Sequence, residues 1–305
     1  MTPENARILE DFGLTPAHLI GEGGESLVYA LGTDHILRLP KGRPFDARGR
    51  IRLKGFLDEI AGRLPFQTPT VEEAGAHGAY TVERRLAGRP MAEFLKTAGD
   101  DARDHAFRNY VAAIDAFSTL SFDDRPYGHI MAAEPVTAND WRTFAWESLA
   151  RFRSINRVAI AHDVGDPYRL FDKAADMIDA LPHRPPKALV HGDYFPGNVL
   201  LGPDLSIAAV IDFGPFTVIG DATLDLAVSY LTLELIDVSS ADDARFVREL
   251  VLERHGAEIA PALRFYRAYL AFSMADPANT AAPYPRLYAW AIAMLKLLGD
   301  DRLPV

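Results

Sequence analysis

Apolar and polar positions along this chain change their period once. Over the first 88 residues the apolar stretches are short and strand-like. SLVYALG and HILRLPKG are rich in β-branched and aliphatic residues and are separated by Gly32, Thr33 and Asp34, which predicts a hairpin. Leu53, Phe56, Leu57, Ile60 and Leu64 then fall at the spacing of one helical face. VEEAG and AYTVERRL are two further strand candidates about a turn at His77–Gly78. From Met91 onward long amphipathic helical stretches dominate, over residues 102–120, 139–154, 168–181, 222–238 and 241–255. One strand-rich island, KALVHGDYFPGNVLLGPDLSIAAVIDFGPF, interrupts them behind the Pro-rich LPHRPPK. The pattern predicts an α+β protein of two lobes. Residues 1–88 make a small sheet with one helix, residues 89–305 a larger and mostly helical part, and a ligand cleft lies between them.

Composition narrows the function classes. The 305 residues are 49% hydrophobic and 24% charged, which excludes a disordered chain. There is no cysteine, so a disulfide framework, a thiolate metal site and a Cys nucleophile are all excluded. The first residues, MTPENARILEDFG, lack the basic and apolar blocks of a signal peptide. No apolar run approaches the roughly 18 to 20 residues that span a bilayer; AWAIAMLKLLG is short and broken by Lys296. A soluble, cytoplasmic protein with no membrane partner is expected. Formal charge is −10 and uneven: residues 1–88 hold 11 Lys/Arg against 12 Asp/Glu, residues 89–305 hold 21 against 30. Nucleic acid is therefore not the expected partner, since phosphate-backbone binding needs a basic surface. The acidic second half would attract a cationic substrate, or it is simply a solvated surface.

Three stretches carry chemistry. In GEGGESLV, Gly21, Gly23 and Val28 match the kinase glycine-loop register G-x-G-x-x-G-x-V, with Ser26 where the third Gly would stand. Glycines let backbone N–H groups approach phosphate oxygens, and Ser26 adds a hydroxyl donor; a glycine-rich hairpin turn reads the same way. In HILRLP, Ile36 and Arg38 share one face of a strand. They stand as the kinase strand residue against the nucleotide base and the phosphate-binding Lys do, and Arg can grip phosphate through two donors. Glu59, on the flank of the predicted helix, is the candidate to hold that cation. In the third stretch, HGDYFPGNVL, His191, Asp193 and Asn198 reproduce H-R-D-x-x-x-x-N with Gly192 in place of Arg, and Asp212-Phe213-Gly214 follows the next apolar run. Phosphoryl transfer explains the spacing, because it demands positioning and charge neutralisation above all. Mg²⁺ needs only one or two protein oxygens beside the phosphates, and Asn198 and Asp212 supply them. Asp193 is left to orient the acceptor hydroxyl and take its proton late, since an ordinary Asp of pKa about 4 is a weak base. His191 is expected to brace the loop.

The run VHGDYFPGNVLL…AVIDFG…GDATLDLA resembles the aminoglycoside phosphotransferase family, small-molecule relatives of protein kinases that include macrolide phosphotransferases. The likeness extends over about residues 18 to 230 and is densest at 190–226. It implies a protein-kinase-like two-lobed fold, an ATP or GTP phosphate donor, Mg²⁺ and a small-molecule hydroxyl acceptor such as an antibiotic. It also implies Asp193 as the catalytic Asp, Asn198 and Asp212 as metal ligands, and Val82 to Arg85, Glu83 and Arg85 among them, presenting backbone groups to the nucleotide base. Asp225 would tie the segment after Asp-Phe-Gly to the catalytic loop; it and Asp221 equally read as helix caps. Two departures stand out: the missing third glycine, and the lack of a comfortably aligned helix Glu. For the acceptor, Glu234, Asp237 and Asp276 are candidates to meet ammonium groups, or are surface charges. Phe265, Tyr269 and Phe272 read as core. A metabolic kinase of the homoserine or choline type and a non-catalytic nucleotide-binding regulator remain the alternatives.

Overall fold

A short capped helix and a five-stranded antiparallel sheet open the chain. The computed structural model describes residues 2–24, 26–41, 46–280 and 285–305. Helix α1 (Pro3–Asp11) starts at Thr2, whose hydroxyl accepts the Asn5 N–H, with Pro at the first helical position. Strands β1 (Leu19–Glu22), β2 (Ser26–Leu31) and β3 (His35–Pro40) follow, and β2 and β3 pair from Ser26↔Pro40 to Leu31↔His35, the predicted hairpin. Gly32 closes it at φ +65°, where a β-branched residue would be strained. Helix α2 (Ala47–Ile60), capped by Asp46, leads to β4 (Val71–Ala74) and β5 (Thr81–Arg84). The sheet order is β1-β2-β3-β5-β4.

After the sheet come β6 (Arg89–Pro90), α3 (Met91–Leu95), α4 (Asp100–Ser118), β7 (Tyr127–His129), β8 (Thr137–Ala138), α5 (Trp141–Asp163) and α6 (Pro167–Ala175). The island then supplies β9 (Ala188–Val190), β10 (Val199–Leu201), β11 (Ile207–Val210) and β12 (Val218–Gly220). Helices α7 (Thr223–Leu231), α8 (Ala241–His255), α9 (Ala260–Met274) and α10 (Pro285–Gly299) complete the chain. Two small sheets, β11-β10-β6 and β8-β7-β12-β9, anchor the island among the helices. No helix of the described residues is long and apolar enough to cross a membrane.

Two predicted helices end early. The stretch 222–238 becomes α7 and a 3₁₀ turn at Thr232–Glu234, and 168–181 becomes α6 and a 3₁₀ segment at Asp176–Ala180. Near the end of α7 the hydroxyls of Ser229 and Thr232 bond back to Leu226 O and Val228 O. Every residue of α7 from Leu224 to Leu231 is buried, so it is a central helix, not an amphipathic surface one.

The core divides unequally. A small cluster, Tyr29, Leu37, Leu39 and Val82 with Ile8 and Leu9 of α1, lies on one face of the sheet. Asn5 fastens α1 there by donating to Pro40 O at 2.9 Å. The apolar face of α2, by contrast, joins the large core that runs through α4, the island and α7 to α10. Period two of the strands therefore sends Arg38, Ile36, Thr81 and Glu83 to the opposite face, toward α2 and the island.

Candidate active site

The site is assembled at the open end of one hairpin. β10 and β11 pair from Val199↔Val210, and Ile211 N–H donates to Asn198 O at 2.9 Å, so Asn198 and Asp212 leave the hairpin side by side. The preceding loop, His191 to Asn198, is braced from beneath. Asp225 on α7 accepts the backbone N–H groups of His191 at 2.6 Å and Gly192 at 2.8 Å. Burial pushes the Asp225 carboxyl up to about 7 against the pull of those two bonds. Asp221 accepts from the Tyr266 hydroxyl and caps Thr223 N–H. Gly192 holds φ +77°, and a Cβ there would stand 2.1 Å from Phe216 O, so the Arg of the kinase pattern does not fit.

His191 is buried and pushed down to about 4 by that burial, so it is neutral. Its Nε2 donates to Ile211 O at 2.9 Å and its Nδ1 accepts the Asp193 N–H at 3.2 Å. The ring thus bridges the loop to the end of β11. Phe213 packs on it at 4.6 Å and also meets Phe56 of α2 at 6.4 Å and Phe117 of α4 at 6.3 Å.

Asn198 uses both amide hydrogens on Asp193, donating to its backbone O at 2.9 Å and its Oδ2 at 3.1 Å. That fixes the amide's orientation and leaves Oδ1 as an acceptor. Asp212 sits at φ +66°, a left-handed conformation that Asp tolerates better than most residues, and its side chain is 60% exposed. Burial, and then the nearby charge of Asp212, push Asp193 up to about 7. The ordinary value expected from the sequence therefore does not hold in the metal-free protein. Among the described residues no group of three or more His, Cys, Asp or Glu forms an all-protein cage. An amide oxygen and a carboxylate beside a phosphate site suit Mg²⁺, which keeps waters and substrate oxygens as ligands.

Above this stands the sheet. Gly21, Val28, Arg38 and Thr81 lie in one row across β1, β2, β3 and β5, and Ile36 and Glu83 in the next. Gly23 N–H bonds to Ser26 O at 2.9 Å and closes the loop between β1 and β2. Arg38 lies 4.0 Å from Asp212, which brings the phosphate-cation candidate to the metal-ligand candidate. A small cavity between Arg38, Glu83, Asp212, Phe213 and Leu57 is shared by sheet, helix and island.

Three placements differ from the sequence reading. Glu59 does not face Arg38; its carboxylate pairs with Arg125 at 2.5 Å, because it points off the flank of the buried face of α2. Glu83, expected to offer a backbone group to the base, also has a buried side-chain carboxylate bound to Arg38. Arg85 N–H donates to Asp34 O at 2.8 Å and Arg84 N–H to Thr70 O at 3.0 Å, so both are engaged within the protein. The next donor, Leu86 N–H, has no protein acceptor among the described residues.

The acceptor candidates are also occupied. Glu234 takes two bonds from buried Arg267 at 2.8 Å each and one from Trp290 at 2.8 Å. Asp237 pairs with Arg286 at 2.8 Å, and Asp276 caps Ala278 N–H. Phe265, Tyr269 and Phe272 are buried core, as their spacing suggested.

A small sheet with a glycine-bearing hairpin over a helical body, with Asp193, Asn198 and Asp212 gathered near Arg38, has the layout of the protein-kinase-like fold. Residues 17–292 match the phosphotransferase enzyme family, and the chain belongs to it. It is accordingly a phosphotransferase with an alcohol group as acceptor. Among solved structures it is similar to a thermostable variant of aminoglycoside phosphotransferase APH(4)-Ia in complex with ADP and hygromycin B (18% identity, all of both chains covered, TM-score 0.70). It is also similar to ADP-bound APH(2'')-Ib (13% identity, 99% of each chain, TM-score 0.61) and to the GDP and kanamycin complex of an APH(2'')-III enzyme (15% identity, 93% and 92% covered, TM-score 0.60). At these identities the likeness is one of fold. A search of curated protein sequences returned no match.

Proposed function

We propose that this protein transfers the γ-phosphate of ATP or GTP to a hydroxyl of a small molecule, with Asp193 as the base that receives the acceptor's proton. In this reading residues 1–88 bind the nucleotide and residues 89–305 carry the catalytic loop and the acceptor site. The hydrogen-bonding of Asn198 is the observation that carries it: both amide hydrogens hold Asp193, so its oxygen and the exposed Asp212 carboxylate are the groups left for a cation. Bound there, Mg²⁺ would neutralise phosphate charge. The remaining work belongs to the chain. Arg38 grips phosphate oxygens, Gly21, Gly23 and Ser26 bring backbone and hydroxyl donors over them, and Val28 and Ile36 cover the base. Asp193 aligns the hydroxyl and accepts its proton as the new P–O bond forms.

The enzymes similar in fold were solved with hygromycin B or kanamycin, which makes an aminoglycoside one acceptor to try. The engagement of Glu234, Asp237 and Asp276 favours a second reading, an acceptor with fewer positive charges, such as a metabolic amino alcohol. The test is nucleotide turnover with ATP and GTP against aminoglycosides, macrolides and amino alcohols, run beside Asp193→Ala. Expected is acceptor-stimulated turnover that Asp193→Ala abolishes while Mg-nucleotide affinity stays within about threefold. Equal loss of turnover and affinity would make Asp193 structural. Tight Mg-nucleotide binding with no stimulated turnover would point to a non-catalytic regulator.

A further inference from the structure

The guanidinium of Arg38 is held from within its own sheet. β3 and β5 are adjacent, with Ile36 opposite Glu83 and Arg38 opposite Thr81, so the Glu83 carboxylate lies diagonally across from Arg38. Nε donates to Oε1 at 3.0 Å and Nη2 to Oε2 at 3.4 Å, a fork on a fork. Thr81 Oγ1 donates to the same Oε1 at 2.7 Å, and Arg38 Nη1 donates to Ser26 Oγ at 3.2 Å. The pair is mostly withdrawn from water, with Arg38 15% and Glu83 6% exposed at the side chain. Burial works against the Glu83 charge, but Arg38 and Thr81 outweigh it and hold the carboxyl below its ordinary value. Of five guanidinium N–H groups, three are engaged in this network, which leaves two for a ligand.

We propose that Glu83 is the positioning residue for the phosphate-gripping cation, so that the β-ladder and not helix α2 presets Arg38. This rests on the phosphotransferase reading and adds to it the device that fixes the grip. A partner borne on a helix can leave with the helix. A partner on the next strand is kept at a fixed register by the ladder between β3 and β5 and leaves only by turning its own side chain. The one acidic residue predicted for the helix-borne role, Glu59, is paired with Arg125. Without Glu83 the buried guanidinium would lose its fork and turn toward Asp212, already 4.0 Å away, competing with the metal for that carboxylate. The fork on Arg38 is therefore made within the sheet, while Arg50 of α2 adds a positive charge near Glu83.

The test is a double-mutant cycle of Glu83→Gln and Arg38→Met, with Glu59→Gln as the comparison. For each variant, kcat and KM for nucleotide, KM for acceptor, and thermal midpoint are measured with Mg-ATP or Mg-GTP. Expected for Glu83→Gln is a fall of about 100-fold in nucleotide kcat/KM, the scale of a misplaced catalytic group, with acceptor KM within about twofold. In the Arg38→Met background the same change adds nothing, and Glu59→Gln leaves nucleotide kcat/KM as in the wild type. If Glu83→Gln does not fold, Glu83→Asp, which keeps the charge and withdraws it by one methylene, gives the same comparison. A lowered thermal midpoint with unchanged nucleotide kcat/KM would reduce the pair to a stabilising contact and overturn the inference. So would an equal effect of Glu83→Gln with Arg38 absent, or a Glu59→Gln loss as large as that of Glu83→Gln. Wild-type protein with no nucleotide turnover at all would remove the phosphotransferase reading as well.

Discussion

Replacing Gly192 by alanine adds one methyl group, and the structure says what it meets. At φ +77° an alanine costs about 1–2 kcal/mol for its left-handed backbone alone. Its Cβ would also stand 2.1 Å from Phe216 O, where real Cβ contacts essentially never fall below 3.0 Å. Relief therefore needs nearly 1 Å of movement between the catalytic loop and the segment after Asp-Phe-Gly. Gly192 N–H donates to Asp225 at 2.8 Å, and losing that bond leaves a buried donor unmade, at about 1–3 kcal/mol more. The expected destabilisation is about 2–5 kcal/mol in urea unfolding of metal-free protein. Asp193, the proposed base, is the next residue, and a catalytic group displaced by about 1 Å loses about 100-fold in turnover. Nucleotide affinity should barely change, because the sheet proposed to grip the phosphates is untouched. Gly192→Ala protein with stability within about 0.5 kcal/mol of the wild type and unaltered turnover would refute the packing argument.

Two further outcomes follow from the carboxylates. Asp193 is raised to about 7, so between pH 5 and 7 the folded protein keeps a proton there that the unfolded chain, near 3.8, has released. Wild-type stability should then fall, relative to Asp193→Asn, by about 1.4 kcal/mol per pH unit across that window, and the difference should level off above pH 7; unfolding curves in a chelator that run parallel at all pH values would refute this, and saturating Mg-nucleotide should flatten the slope. Asn198→Asp should be harmful although it offers a cation a stronger ligand. It removes both donors to Asp193 and sets carboxylate against carboxylate, so unfolding should become easier by about 1–3 kcal/mol and turnover should fall; wild-type turnover in this variant would overturn the assignment of the amide.

The nearness of the candidate residues was legible because their spacing is local: Asp193, Asn198 and Asp212 sit on one loop and one hairpin, and sequence separation maps almost directly onto geometry. The hairpin of β2 and β3 and the face shared by Ile36 and Arg38 were legible for the same reason. The partner of Arg38 was not, because it depends on which strand lies beside β3. Chain order puts β4 next, whereas the sheet inserts β5 between them. Once that order is known, the pairing of Ile36 with Glu83 follows from register. The fates of Arg85, Glu234 and Asp276 were hidden likewise, since a charge or an N–H read alone carries no sign of the carbonyl, guanidinium or helix end that will meet it. Burial of α7 on all sides was masked by its polar Asp225 and Ser229, each of which finds its partner inside the protein.

Phe213 touches both large parts of the molecule, Phe56 beneath the sheet and Phe117 and His191 in the helical body. A ring gripped from both sides ties its own segment to both parts at once. Asp212 is one residue away and shares that anchorage. The position of that carboxylate is thus set by the packing of two elements and not of one.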